Sequence, residues 1–173
     1  IISPDGTSAY ASSNGSGSVV QYSRNTTTGA LTALAPASVA AGSFARGLAI
    51  SPDGKFVYAT NYGPSNSISQ YSRSTRTGAL TARAPASIAA GTYPYGIVIS
   101  PDGISLYVTN ETTNNISQYS RSTSTGALTA LGSPTIASGL APYGILVSPD
   151  GASVYAVNQT GNSVSQYSRS TST

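Results

Sequence analysis

The chain has 173 residues, 8% of them charged and 39% hydrophobic, and it contains no Cys, His, Met or Trp. Without Cys or His there is no disulfide, no thiolate or imidazole metal site, and no ordinary general base titrating near neutral pH, so neither a metal nor a cofactor is expected. The net charge of +3 reduces to Arg46, Lys55, Arg76 and Arg83 against Glu111; these are scattered, so no basic stripe for nucleic acid forms, and no apolar run is long enough for a membrane helix.

The chain opens on Ile1-Ile2, the tail of an apolar strand without an initiator Met, and is read as processed or partial. Next comes Ser3-Pro4-Asp5-Gly6, a tetrapeptide that returns from Ser51, Ser100 and Ser148 at spacings of 48, 49 and 48. A period of that size, with several short strands per unit, is the mark of a β-propeller blade. Pro presets φ for a tight turn, Asp accepts from nearby backbone amides, and Gly tolerates positive φ. Asp5, Asp53, Asp102 and Asp150 are therefore assigned to structural turns. The predicted fold is all-β, a single domain of four-stranded antiparallel meanders with about 3.5 to 4 blades, at residues 1–42, 43–91, 92–139 and 140–173.

The third unit shows the elements in order. Gly96-Ile97-Val98-Ile99 is continuously apolar and reads as an inner strand buried on both faces. Leu106-Tyr107-Val108-Thr109 is β-branched and aromatic, and Ile116-Ser117-Gln118-Tyr119 alternates. After a Thr125-Gly126 turn, a weaker strand covers 127–131. Burial is expected to fall from the first strand to the fourth, as radial packing around an axis requires. Tyr10, Tyr58, Tyr107 and Tyr155, with Tyr22, Tyr71, Tyr119 and Tyr167, recur at fixed places and are expected to fill the space between blades with their hydroxyls wet. Arg24, Arg73, Arg121 and Arg169 recur with the turn carboxylates and suggest a solvated ring of weak pairs.

At Tyr107-Val108-Thr109-Asn110 the chain spells YVTN, with Tyr58-Ala59-Thr60-Asn61 and Tyr155-Ala156-Val157-Asn158 in the equivalent places. Together with the Ser-Pro-Asp-Gly turn and the period, this resembles the YVTN-repeat β-propellers over essentially the whole chain. The resemblance implies a ring that usually closes at seven blades, among surface-layer-associated proteins and relatives of 6-phosphogluconolactonase and carboxymuconate cyclases. It also favours an extracellular or cell-surface setting. The enzymatic relatives cluster His, Arg and carboxylates near the channel mouth; His is absent here and Glu111 is the single Glu, so no catalytic residue is carried over.

Candidate ligand contacts are the positions on the funnel face where the repeat breaks. Before the inner strand, Phe44 corresponds to Tyr93 and Ala141, and Arg46 to Tyr95 and Tyr143. After the second strand, Tyr62, Glu111 and Gln159 share one loop position with Asn14. A small polar or carbohydrate-like ligand is the candidate occupant. Both ends of the repeat are ragged, which exposes blade faces that a soluble monomer tolerates poorly. Closure at four blades would raise the angle between neighbours from roughly 51° to 90°. A homodimer in head-to-tail contact, about eight blades in all, is expected instead.

Three functional readings stand. The first is a non-catalytic binding or scaffold segment, not an enzyme, assembling as that dimer. The second is a lactonase-like or cycloisomerase-like enzyme fragment in which Arg46 holds an anionic substrate and Glu111 moves a proton. The third is a truncated piece of a longer seven- or eight-bladed propeller.

Overall fold

A computed structural model describes residues 1–171. The first sheet contains β1 (Ser8–Ser13), β2 (Ser18–Arg24) and β3 (Leu31–Ala40). The second runs β4 (Ala45–Ile50), β5 (Phe56–Asn61), β6 (Ser67–Arg73) and β7 (Leu80–Ala89), and the third β8 (Pro94–Ile99), β9 (Ser105–Asn110), β10 (Asn115–Arg121) and β11 (Leu128–Ala137). The fourth is β12 (Pro142–Val147), β13 (Ser153–Asn158) and β14 (Ser163–Ser168). Each sheet is an antiparallel meander in chain order, so each is a propeller blade, and together they make half a propeller. In the first sheet only the bridge between Ile2 and Ala9 marks the inner-strand position. Among the described residues no helix is long and apolar enough to cross a membrane.

The burial gradient differs from the expected one. Strands β5 and β9 are buried at every residue, whereas inner strands β4 and β8 mix buried and half-buried positions. The physical reason is radial: an inner strand turns side chains into the open channel, while a second strand has a strand on either side and a blade on either face. Outer strands are also longer than their sequence suggests, ten residues in β7 and β11. A register shift opposite Gln70 and Gln118 lets each outer strand continue. The Gln side chains fill the gap by donating to the carbonyls of Pro85 (3.3 Å) and Ser133 (3.2 Å).

Apolar clusters join successive blades, with Tyr107, Ile116, Val154 and Ala156 between the third and fourth sheets. Tyr10, Val19, Val57, Tyr71 and Leu80 lie between the first and second sheets, and Tyr58, Ile68, Ile97, Leu106, Tyr119 and Leu128 between the second and third. Contrary to expectation, the hydroxyls of Tyr10, Tyr58, Tyr71 and Tyr119 are not wet. Tyr10 and Tyr58 donate to the carbonyls of Gly78 and Gly126 in the next blade (2.6 Å each), and Tyr71 and Tyr119 to Ala40 (2.6 Å) and Ala89 (2.7 Å) in the preceding one. The inter-blade space is apolar, so each hydroxyl needs a protein partner.

Nor do the repeated charges form a solvated ring. Arg73 pairs with Asp5 at 2.9 Å, Arg121 with Asp53 at 3.9 Å and Arg169 with Asp102 at 2.6 Å, so each arginine reads the turn of the blade before it. Their guanidinium groups are buried. Each also donates to the glycine carbonyl of its own turn, from Gly54, Gly103 and Gly151 at 3.1, 2.7 and 3.0 Å. Partial burial pushes the Asp102 carboxyl up, but hydrogen bonds from Ser100 and the Ile104 amide, with Arg169, outweigh it and hold the pKa low. Removing the aspartate leaves a buried guanidinium without its counter-charge, which is costly, whereas the carboxylate is partly exposed and its loss of the arginine is eased by water.

Candidate functional site

The funnel face is at the opposite ends of the strands from the Ser-Pro-Asp-Gly turns. One backbone hydrogen bond recurs there in each of the last three blades: Tyr62 N to Phe44 O at 3.1 Å, Glu111 N to Tyr93 O at 3.0 Å, and Gln159 N to Ala141 O at 2.9 Å. The acceptor residues Phe44, Tyr93 and Ala141 have φ of 54°, 55° and 50°. A left-handed backbone at a residue with a Cβ costs of order 1 kcal/mol and persists only where its surroundings enforce it. The bend it makes starts the inner strand at a fixed angle. The second residue of each inner strand, Arg46, Tyr95 or Tyr143, then projects at the channel mouth.

Close approach of the inner strands gathers these side chains. A Cβ on Gly47 would lie 2.4 Å from the Tyr95 carbonyl oxygen, and one on Gly96 2.2 Å from that of Tyr143, so the two glycines permit the spacing. Thr60 Oγ1 accepts from Gly47 N and donates to Tyr95 O, both at 2.8 Å. Thr109 repeats the bridge between Gly96 N (2.8 Å) and Tyr143 O (2.7 Å). Sequence reasoning missed these threonines as site supports, although their recurrence before Asn61 and Asn110 was visible.

The result is a continuous aromatic group with one cation. Tyr95 and Tyr143 stack at 4.1 Å, Tyr62 meets Tyr95 edge-on at 6.0 Å, and Tyr62 and Tyr93 lie 4.7 Å apart. The Arg46 guanidinium sits 4.7 Å from the Tyr62 ring centre and 5.2 Å from that of Tyr95. Such contacts hold a cation without consuming its hydrogen-bond donors. Glu111 lies beside the same rings. Its hydrogen bonding, with burial and its charge, pushes the Tyr62 phenol up to about 12. Burial and then the Glu111 charge raise Tyr143 as well. Both phenols therefore stay neutral donors.

Arg46 Nε and Glu111 Oε2 are buried without a hydrogen-bond partner. Polar atoms left so are exceptions that call for a ligand or a water. A cleft of about 370 Å³ opens beside Arg46, lined by Ser12, Asn14, Arg46, Tyr95 and Tyr143 with intervening glycines; Glu111 lies beside the tyrosine rings and outside this lining. Of the eight candidates from the sequence, Arg46, Tyr62, Tyr93, Tyr95, Glu111 and Tyr143 come together. Phe44 is exposed and covers Gly63, and Gln159 is exposed and held at the rim by its backbone. Asp5, Asp53, Asp102 and Asp150 lie in the turns at the far end. Among the described residues no three His, Cys, Asp or Glu side chains group as a metal site.

The family model described as "Lactonase, 7-bladed beta-propeller" matches residues 1–140 and 84–173. The chain belongs to this lactonase family. Among solved structures it is similar to a candidate 6-phosphogluconolactonase of Bacteroides fragilis, at 25% identity and a TM-score of 0.87 over 99% of this chain and 50% of that one. A protein from Lactobacillus plantarum is similar at 25% identity, with a TM-score of 0.85 and coverage of 99% and 50%. The periplasmic gluconolactonase of Pseudomonas aeruginosa shares the fold at 23% identity and a TM-score of 0.84, with coverage of 98% and 49%. This lactonase-family chain thus spans about half the length of the structures it matches. No curated protein sequence matches it.

Membership in the lactonase family overturns the expectation of a non-catalytic scaffold and of a chain that is not part of an enzyme. Absence of His does not by itself exclude a general base, because a carboxylate can take a proton. Opening a lactone needs a proton acceptor and a group that stabilises an oxyanion, and a carboxylate with a guanidinium meets both needs.

Proposed function

We propose that this chain is half of a lactonase that opens a sugar-derived lactone at the funnel mouth, the remaining blades coming from a second copy in head-to-tail contact. The observation that supports the reading is that two orphaned polar atoms share one group of tyrosine rings: Arg46 Nε, whose side chain lines an open cleft, and Glu111 Oε2, beside Tyr62 and Tyr143. The rings of Tyr95 and Tyr143 offer the flat apolar surface that sugar C–H faces stack on. Arg46 donates to the ring carbonyl or to a pendant anionic group, and Glu111 takes a proton from the attacking water. The water oxygen bonds to the carbonyl carbon, the ring C–O bond breaks, and the departing alkoxide takes up a proton, leaving an open-chain hydroxy acid. Tyr62, held neutral, donates to Glu111 and fixes its carboxylate.

The test follows acid release from five- and six-membered sugar lactones, with and without a phosphate group, in weakly buffered solution. Turnover above the spontaneous rate is expected, with Glu111→Gln and Arg46→Ala each lowering it by roughly 10²- to 10³-fold. Absence of turnover in the dimeric chain, or full activity in both variants, overturns the reading.

A further inference from the structure

Within the chain, the Ser-Pro-Asp-Gly carboxylates of Asp5, Asp53 and Asp102 are each read by the arginine of the following blade, and this offset leaves one half of a pair at each open face. Arg24 belongs to the first blade and has no aspartate before it; Asp150 belongs to the fourth and has no arginine after it. Among the described residues neither makes an ion pair. We infer that these are the two halves of a latch, and that Asp150 of one copy pairs with Arg24 of a second copy at each of two head-to-tail contacts. This inference rests on the self-association proposed above and supplies its chemistry.

Four further features fit the same offset. Arg24 already donates to the carbonyl of Gly6 at 3.1 Å, as its three counterparts do to their own turns, so its guanidinium is held in the docking geometry. The Tyr155 hydroxyl, like that of Tyr107, has no hydrogen-bond partner among the described residues, whereas Tyr10 and Tyr58, their equivalents, donate to the glycine of the outer-strand turn in the next blade, Gly78 and Gly126. The equivalent acceptor for Tyr155 is Gly29 of a second copy. Leu31 is 52% exposed, while the same outer-strand residue is 6% exposed at Leu80 and 8% at Leu128, where a preceding blade covers it. Val164 on the other open face is 60% exposed, against 0% for Val19 and Ile68 and 1% for Ile116, which a following blade covers. Each open face therefore carries the half-contacts that the other completes. The contact is heterologous, and two copies close a ring around an axis along the channel.

Light scattering behind gel filtration tests this on the 173-residue chain, with circular dichroism confirming that each variant stays folded. The parent chain is expected at twice 17.4 kDa. Arg24→Asp and Asp150→Arg each set like charges against one another at both contacts, and each is expected to weaken the dimer by at least about a hundredfold. Mixing the two variants restores both contacts, because each contact then joins opposite charges again; the double variant restores them within one chain. Asp150→Asn, which keeps shape and removes charge, gives an intermediate weakening. A monomeric parent chain overturns the self-association and the latch with it. A dimer indifferent to both reversals, or variants that fail to associate when mixed, overturns the latch alone. Lactone turnover is a separate readout: a latched dimer without turnover sinks the enzymatic reading and leaves the latch standing.

Discussion

Thr60→Val isolates the bridge that sets the spacing of the inner strands. The substitution keeps the shape of a side chain that is fully buried and deletes one hydroxyl. That hydroxyl accepts from Gly47 N and donates to Tyr95 O, each at 2.8 Å and each partly buried. Losing it leaves one donor and one acceptor unpaired at about 1–2 kcal/mol apiece, so the fold should lose about 2–4 kcal/mol. That is a large share of the roughly 5–15 kcal/mol by which a domain is stable. The natural control is Val157, which occupies the equivalent place in the fourth blade, is exposed, and faces no following blade within the chain. Val157→Thr should change stability by less than about 0.5 kcal/mol. Urea unfolding measures both, with the midpoint falling for Thr60→Val and the slope unchanged. A Thr60→Val midpoint within error of the parent would show that the bridge is geometric coincidence.

Gly96→Ala should be far more damaging than Gly144→Ala, because a Cβ on Gly96 meets the Tyr143 carbonyl at 2.2 Å while one on Gly144 has only Val157 nearby at 3.9 Å; equal melting temperatures would refute the close approach of the inner strands. Spectrophotometric titration should find a phenol ionising near 12 that Tyr62→Phe removes and Glu111→Gln shifts downward. Since folding raises this pKa above its usual value of about 10, the associated stability is present below pH 10 and is lost as pH rises through about 12. A titration curve unchanged by Glu111→Gln would refute the contact between the two groups.

The repeat made the blade order legible because its punctuation is local: Pro, Asp and Gly specify a turn whatever surrounds them. That Arg46, Tyr62, Tyr93, Tyr95, Glu111 and Tyr143 gather at one end of the blades could be suspected from the sequence, since these are places where the repeat breaks on one face; their ligand role is the proposal made above. What stayed hidden was non-local. Nothing in the spacing of Arg73 and Asp5 says that the arginine reaches backward across a blade boundary, because adjacency between blades is fixed by packing rather than by sequence separation. The same blindness turned buried tyrosine hydroxyls into wet ones. Phe44 shows the limit from the other side: it corresponds to Tyr93 in the repeat, yet its ring covers Gly63 instead of joining the aromatic group.

The two ends of the blades divide the labour, and that division bears on how the site is kept. Arg46, Tyr95 and Tyr143 occupy one register position on three successive inner strands, β4, β8 and β12, so their separations are separations between blades. No hydrogen bond within a blade can set them. The threonine bridges set them locally, and the arginine-aspartate pairs at the far end stop one blade from pivoting on the next. Positioning errors of an ångström cost orders of magnitude in rate. On the lactonase proposal, a variant of Arg121, remote from the channel mouth and paired with Asp53, should therefore lower turnover through the spacing of Arg46 and Tyr95 while every side chain at the mouth is intact.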